Sequence, residues 1–312
     1  MRQRSLGRTN LNVSEIALGT VELGLDYGID VPGQAFRPPE SEAVALLNYA
    51  LDRGINIIDT ARAYGASETV IGEAISHRRS EFVLVSKVKT FHTEVEDLAE
   101  RKQAMLDSVQ ESLRQLQTDH LDLLLLHSSS VEEITNPLYV EVLNECRRRG
   151  WTQYIGASVY GVAAAMAAIE SDQFDCLQVA WNLLDRSVEE RVLPEAAVSR
   201  VGLMVRSVLM RGALTDRRKH LPQSLSPITD AADAMEVIAR HAGMTLPELA
   251  YRYIVSHEGP LTALVGTAWV SELELALEYA ASPKLSDDLM RTIRSVSVSQ
   301  PELLDLSRWP PV

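Results

Sequence analysis

Short apolar runs recur along the chain and alternate with longer stretches of helical spacing. The runs are EIALGT (15–20), INIIDT (55–60), FVLVSKV (82–88), LDLLLLHS (121–128), TQYIGASV (152–159), CLQVAWNL (176–183), GLMVRSV (202–208) and TALVGTA (262–268). Between them lie SEAVALLNYALDRG, SETVIGEAISHR, AERKQAMLDSVQESLRQLQ, LYVEVLNECRRRG, VAAAMAAIESD, EERVLPEAAVSR, LPELAYRYIVSHEG and SELELALEYAAS. Near-continuous apolar strands separated by amphipathic helices predict a parallel sheet covered on its faces. About eight such units in roughly 250 residues is the size of a (β/α)8 TIM barrel. The competing architecture, an open doubly wound sheet, calls for a glycine-rich turn after the first strand, and LGTVELGLDYG is not G-x-G-x-x-G.

Local signals fill in the ends. Thr245–Glu248 and Ser271–Glu274 have capping-box spacing ahead of apolar-periodic runs. The opening QRSLGRTNLNVS alternates weakly around Gly7–Asn10 and predicts an N-terminal β-hairpin ahead of the barrel. SDDLMRTIRSV predicts a C-terminal helix, followed by an irregular tail to Val312. With no low-complexity linker, residues 1–312 are expected to form a single barrel domain.

Charge and composition narrow the partners. A net charge of −13 argues against nucleic acid and anionic membrane, whose phosphates attract cations. RRR (147–149) suits a helix C-terminus, and DRRKH (216–220) falls in a long stretch from Leu209 to Pro227 expected to be a basic surface loop, with a lid-like role as the alternative. Cys146 and Cys176 have no metal-ligand spacing and read as reduced thiols, so no metal is expected. No apolar leader and no run long enough to span a bilayer is visible, which points to a soluble cytoplasmic protein.

In a barrel of this type chemistry sits at the C-terminal ends of the strands. There the second run delivers Asp59, followed at five residues by Tyr64. The third delivers Lys87 and the fourth His127. Each has an ordinary structural reading: a turn cap, an apolar-surface cover, a strand-edge lysine, a buried histidine. Together they form a pattern. A lysine inside an apolar strand needs a counter-charge, and Asp59 is one strand away. A phenol beside an ammonium gives up its proton more readily than a free one, so Tyr64 is suited to exchange a proton with a carbonyl or alcohol oxygen. His127 would hydrogen-bond that same oxygen. Nothing in the set carries electrons, so a cofactor must supply the hydride.

GINIIDTARAYGASETVIGEAI, VSKV and DLLLLH resemble the signature segments of the aldo-keto reductases, in that family's Asp, Tyr, Lys, His order. The similarity runs from LGRTNLNVSEIALGT to PKLSDDLM. It implies a barrel with an N-terminal hairpin, a bound NADP(H) or NAD(H), and a small carbonyl or alcohol substrate. It also implies Tyr64 as proton donor, Lys87 and Asp59 as its tuning pair, and His127 as the orienting residue. Implied cofactor contacts are Gly19, Thr20, Asp59, Ser158, Gln178, Arg206, Ser207, Gly212, Gly266, Thr267, Ser271 and Glu272.

Several positions depart from the pattern. Val159 replaces the asparagine that usually follows Ser158, and Arg206 stands where an aromatic residue usually covers the nicotinamide. Arg206 is expected either to stack there or to reach an oxygen-rich substrate. Glu272 occupies a position where an arginine often reads the 2′-phosphate, so the residues lean toward NAD(H) while the family habit leans toward NADPH. Tyr27, Phe91, Trp181 and Trp309 are candidate substrate-pocket residues; Phe36 and the insert 21–40 are further wall candidates. Two alternatives stay open at this stage: a Schiff-base aldolase using Lys87, and a cofactor-binding redox sensor without significant turnover.

Overall fold

The computed structural model describes residues 1–310, so the last two residues of the expected tail lie outside the described part. A short antiparallel hairpin, β1 (Gln3–Ser5) with β2 (Asn12–Ser14), precedes the barrel. The barrel strands are β3 (Ile16–Gly19), β4 (Ile57–Asp59), β5 (Val83–Val88), β6 (Leu121–Ser129), β7 (Thr152–Val159), β8 (Cys176–Ala180), β9 (Gly202–Arg206) and β10 (Leu261–Gly266). They close in chain order, all parallel, with β10 returning to β3. Each lies within one of the eight apolar runs or overlaps it closely. The open-sheet alternative is excluded by that closure.

Helices cover the outside: α1 (Val21–Gly24), α2 (Glu40–Asp52), α3 (Ser67–Ile75), α4 (Leu98–Gln115), α5 (Val131–Thr135), α6 (Pro137–Arg148), α7 (Gly161–Glu170), α8 (Val192–Val198), α9 (Ser226–His241), α10 (Leu246–Ser256), α11 (Val270–Ala281) and α12 (Asp287–Arg294). Two apolar layers result. One lies between the helices and the sheet. The other fills the barrel interior with Ala17, Ile57, Val83, Val85, Leu123, Leu125, Cys176, Met204 and Leu264. Leu6 and Val13 of the hairpin are fully buried in this inner layer and close the barrel floor, each contributing about 1.5–3 kcal/mol by burial. The hairpin can seat so tightly because Gly7 has φ +59° and a Cβ there would lie 2.3 Å from the Gly202 backbone nitrogen.

Two local expectations are corrected. Ser271 does not cap: α11 starts one residue earlier, and Thr267 Oγ1 accepts from the Trp269 amide at 3.0 Å while donating to Glu272 at 2.6 Å. The stretch 209–227 is not a solvated loop. Arg218 is buried and donates to Asp233 (2.7 Å) and the Thr215 carbonyl (2.9 Å), and it pairs with Glu236, pinning DRRKH onto α9. Among the described residues no helix is long and apolar enough to cross a membrane.

Candidate active site

Strand parity assembles the site. Successive residues of a strand point to opposite faces, so the inward series Val83, Val85 in β5 continues to Lys87, and Leu123, Leu125 in β6 continues to His127. The same parity carries Ile57 to Asp59, Cys176 to Gln178 and Met204 to Arg206. Apolar residues fill the lower inward layers, and the C-terminal layer is polar.

Lys87 is fully buried there. Its ammonium donates to both Asp59 carboxylate oxygens (2.9 and 2.7 Å) and to the Thr60 carbonyl (2.9 Å), and lies 3.3 Å from the Tyr64 hydroxyl. Gln178 Nε2 donates to Asp59 at 2.8 Å. Burial pushes the Asp59 carboxyl upward, against Lys87 and Gln178. Burial likewise opposes the Lys87 charge, but Asp59 and Tyr64 outweigh it and hold the ammonium above its ordinary value. Three donated bonds to one carboxyl group are those of a carboxylate, so the pair is ionic.

The turn that presents Tyr64 is held from three sides. Thr20 Oγ1 donates to the Asp59 carbonyl (2.9 Å), and Ser67 Oγ donates to the Thr20 carbonyl (2.9 Å) and lies 3.0 Å from Thr60 Oγ1. Fully buried Glu68, in the first turn of α3, accepts from Arg62 (2.5 Å) and from Ser86 (2.6 Å), the residue before Lys87. Gly24 and Gly65 meet face to face. A Cβ on Gly24 would sit 1.9 Å from the Tyr64 carbonyl oxygen, and one on Gly65, at φ +55°, 2.4 Å from the Gly24 carbonyl oxygen. Only glycine fits at either position.

His127 completes the centre, its ring edge-on to Tyr64 at a centroid distance of 5.6 Å. Burial first, then the charges of Lys87, Arg206 and Lys89, depress its imidazole to about 3. At neutral pH it is uncharged and suited to hydrogen-bond a polar oxygen.

A cleft of about 540 Å³ opens above these groups. Asp59, Tyr64 and His127 line one end together with Tyr27, Ser158, Gln178, Arg206 and Ser207. Gly19, Thr20, Gly212, Gly266 and Thr267 line it as well, and Glu272 and Tyr279, carried by α11, line it away from the β4–β6 centre. Lys87 lies directly beneath the lining. Of the expected contacts Ser271 is outside the cleft, exposed on α11. Three candidate pocket residues are also elsewhere. Trp181 is fully buried in the core, donating to Glu189 (3.0 Å) and packed edge-on against Tyr253 and His257. Trp309 is buried, its indole donating to the Leu303 carbonyl at 2.7 Å. Phe91 packs on the outer core at φ +54°. Large aromatics in a chain poor in them were drawn into the core because burial rewards their area. Cleft residues that sequence reasoning passed over are Glu22, Tyr160, Arg211, Tyr251 and Tyr279. Tyr160 had a signal, following Ser158–Val159 at a strand end, and Glu22 and Arg211 lie in the insert 21–40 and the 209–227 stretch, which were candidates for a wall and a lid and do line the cleft; Tyr251 and Tyr279 had none.

Fold and centre together define a (β/α)8 barrel with an ionic Lys–Asp pair, a phenol and a neutral imidazole on its C-terminal rim. The model of the Aldo/keto reductase family matches residues 15–298. Oxidoreductase YqkF of Bacillus subtilis (strain 168) is 25% identical over 95% of this chain and 96% of its own length. The NADH-specific methylglyoxal reductase of Escherichia coli (strain K12) is 25% identical over 85% and 89%. Among solved structures, an aldo/keto reductase from Klebsiella pneumoniae in complex with NADP and acetate superposes with a TM-score of 0.69 at 25% identity, covering 95% of both chains. The chain belongs to the aldo/keto reductase family and is an NAD(P)(H)-dependent oxidoreductase.

Proposed function

We propose that the protein interconverts an aldehyde, ketone or sugar carbonyl and its alcohol, with Tyr64 as the proton donor and acceptor. The observation that carries this reading is the Lys87 ammonium, held between the Asp59 carboxylate and the Tyr64 hydroxyl, with the His127 ring edge-on to the phenol. Tyr64 gives its proton to the carbonyl oxygen on reduction. The neighbouring ammonium stabilises the charge left on the phenol oxygen. Neutral His127 donates a hydrogen bond to the same substrate oxygen and fixes its position. Asp59 and Gln178 are positioning residues: they hold Lys87 charged and in place.

The cleft fits a nicotinamide dinucleotide. Its volume lies in the range of cofactor sites, and it runs from the polar centre past side-chain-free Gly19 and Gly266 to Pro247, Tyr251, Leu275 and Tyr279. Gly19, Thr20, Ser158, Gln178, Gly266 and Thr267 are the residues assigned to it, with Glu272 at the far end. When bound, the nicotinamide supplies or accepts the hydride.

The aldolase alternative loses support from Lys87 itself, whose nitrogen is a charged donor to three oxygens and no free amine. Buried, unpaired Cys146 and Cys176 suit a reducing, cytoplasmic setting. The test is titration of the purified protein with NADPH and with NADH, followed by tryptophan quenching, then assay on a panel of carbonyls. Tyr64→Phe should keep cofactor affinity and lose about 10²–10⁴ in turnover. Normal turnover in that variant would remove the assigned role; tight binding with no turnover on any carbonyl would favour the sensor instead.

A further inference from the structure

The acid–base end of the cleft carries more positive charge than its neighbours neutralise. One arginine lining the cleft is matched: Arg217 donates to Glu272 (2.8 Å). Arg206 and Arg211 differ. Arg206 donates to the Val159 carbonyl (3.2 Å) and Ser207 Oγ (3.3 Å), and its guanidinium lies over the face of Tyr160 at 4.3 Å. Arg211 lies over the face of Tyr27 at 5.2 Å, and its Nε is buried with no acceptor. Neither forms an ion pair among the described residues. Asp59, the carboxylate at this end, is already taken up by Lys87 and Gln178.

Both guanidinia line the same cleft, together with Tyr27 and Tyr160 on which they lie. Tyr27, whose phenol burial raises, is opposed by the charges of both Arg211 and Arg206, and it also feels Tyr64 and Tyr160. Stacking a guanidinium on a tyrosine face fixes its plane while leaving its edge donors free. Two fixed planes with spare donors beside an uncharged imidazole make a receptor for a planar oxyanion. A chain of net charge −13 has no general affinity for anions, so this local surplus is specific to the cleft.

We infer that Arg206 and Arg211 form a carboxylate subsite beside the reacting carbonyl, so that the preferred substrates are oxo acids rather than neutral aldehydes. The inference rests on the oxidoreductase reading above. An oxyanion could also come from the cofactor's own pyrophosphate, and the experiment separates the two sources.

Kinetics are measured with pairs that differ only in a terminal carboxylate: succinic semialdehyde against butyraldehyde, and glyoxylate against acetaldehyde. The binding of NADH and NADPH is titrated by fluorescence, and that of succinate by calorimetry on protein without cofactor. One charge-assisted pair is expected to favour the acid about ten- to a hundredfold in kcat/KM, carried by KM. Arg206→Met and Arg211→Met should each bring that ratio towards one and abolish succinate binding, with the affinity for the cofactor changed less than the ratio. A wild-type ratio near one overturns the proposal. So does a ratio that survives in both variants while cofactor affinity falls tenfold, which would give the guanidinia to the pyrophosphate. If neither dinucleotide binds, the oxidoreductase reading fails; succinate binding lost in the variants would then still uphold the anion subsite, and its absence would remove both.

Discussion

Asp59→Asn isolates the charge that holds the centre together. The substitution keeps the shape and one acceptor but leaves the Lys87 ammonium, fully buried, with the Thr60 carbonyl (2.9 Å) and the Tyr64 hydroxyl (3.3 Å) as its remaining strong contacts. Removing one partner of a buried ion pair costs about 3–5 kcal/mol, and the retained amide oxygen argues for the lower end. For a chain of 312 residues, about 3 kcal/mol corresponds to a fall in Tm of roughly 5 °C. The pH dependence gives the sharper test. In the native protein Asp59 and Tyr64 hold the Lys87 value above that of a free amine, so its contribution is complete below about pH 10 and is lost only as pH rises through the higher folded value. In Asp59→Asn burial is no longer offset, and the folded value drops below about 10.4. The unfolded chain then binds the extra proton, and stability climbs as pH rises from the depressed folded value towards 10. Scanning calorimetry of both proteins between pH 7 and 10 should show no slope from this group in the native protein and a rising one in the variant. Equal Tm values with parallel pH curves would refute the ionic pair and the tuning role built on it.

His127 makes a second pH test: its folded value near 3 against an ordinary 6.5 means that only the unfolded chain takes the proton in between. Native stability should therefore decline by up to about 2 kcal/mol from pH 6.5 to 5, and His127→Gln should remove that component in denaturant titrations at the two pH values. Gly65→Ala should lower stability by at least about 1 kcal/mol and turnover more than tenfold, because its methyl meets the Gly24 carbonyl and displaces the Tyr64 turn; unchanged turnover would show that the turn tolerates movement. Glu272→Gln frees Arg217 at the far end of the cleft and should raise the ratio of NADPH to NADH affinity about two- to fivefold, the modest value expected of a partly exposed pair. A ratio that does not move in fluorescence titration would take Glu272 out of cofactor selection.

The barrel was legible because its strands are buried on both faces and read as uninterrupted apolar runs, and because the inward parity of β5 and β6 ends on Lys87 and His127. What escaped was α9. Its sequence, SPITDAADAMEVIARH, packs through small residues, Ala231, Ala232 and Ala239, beside Ile228 and Met235. A stripe of alanines carries little periodic signal, and the preceding basic run looked like solvent-facing loop. Arg218 reverses that reading: its carboxylate partners Asp233 and Glu236 are fifteen and eighteen residues away, and a helix between them is what brings both to one guanidinium.

Charge at the far end of the cleft shows the same limit for the site. Read alone, Glu272 is a carboxylate where a 2′-phosphate would fall, and repulsion follows. In the fold it is bound to Arg217 from the 209–227 segment and to Thr267, so much of its charge is already answered. The sequence also hid Glu22, which burial and then the Glu272 charge raise to about 7, against the pull of Arg217. Two carboxyl groups and one engaged guanidinium leave no net positive charge for a phosphate dianion, although the repulsion is weaker than that of a free Glu272. If the dinucleotide lies as proposed, discrimination between its two forms rests on a balance among three residues from three separate elements. A single position in the chain cannot report that balance, whereas the Asp59, Lys87 and His127 centre, each residue on its own strand end, can be read one position at a time.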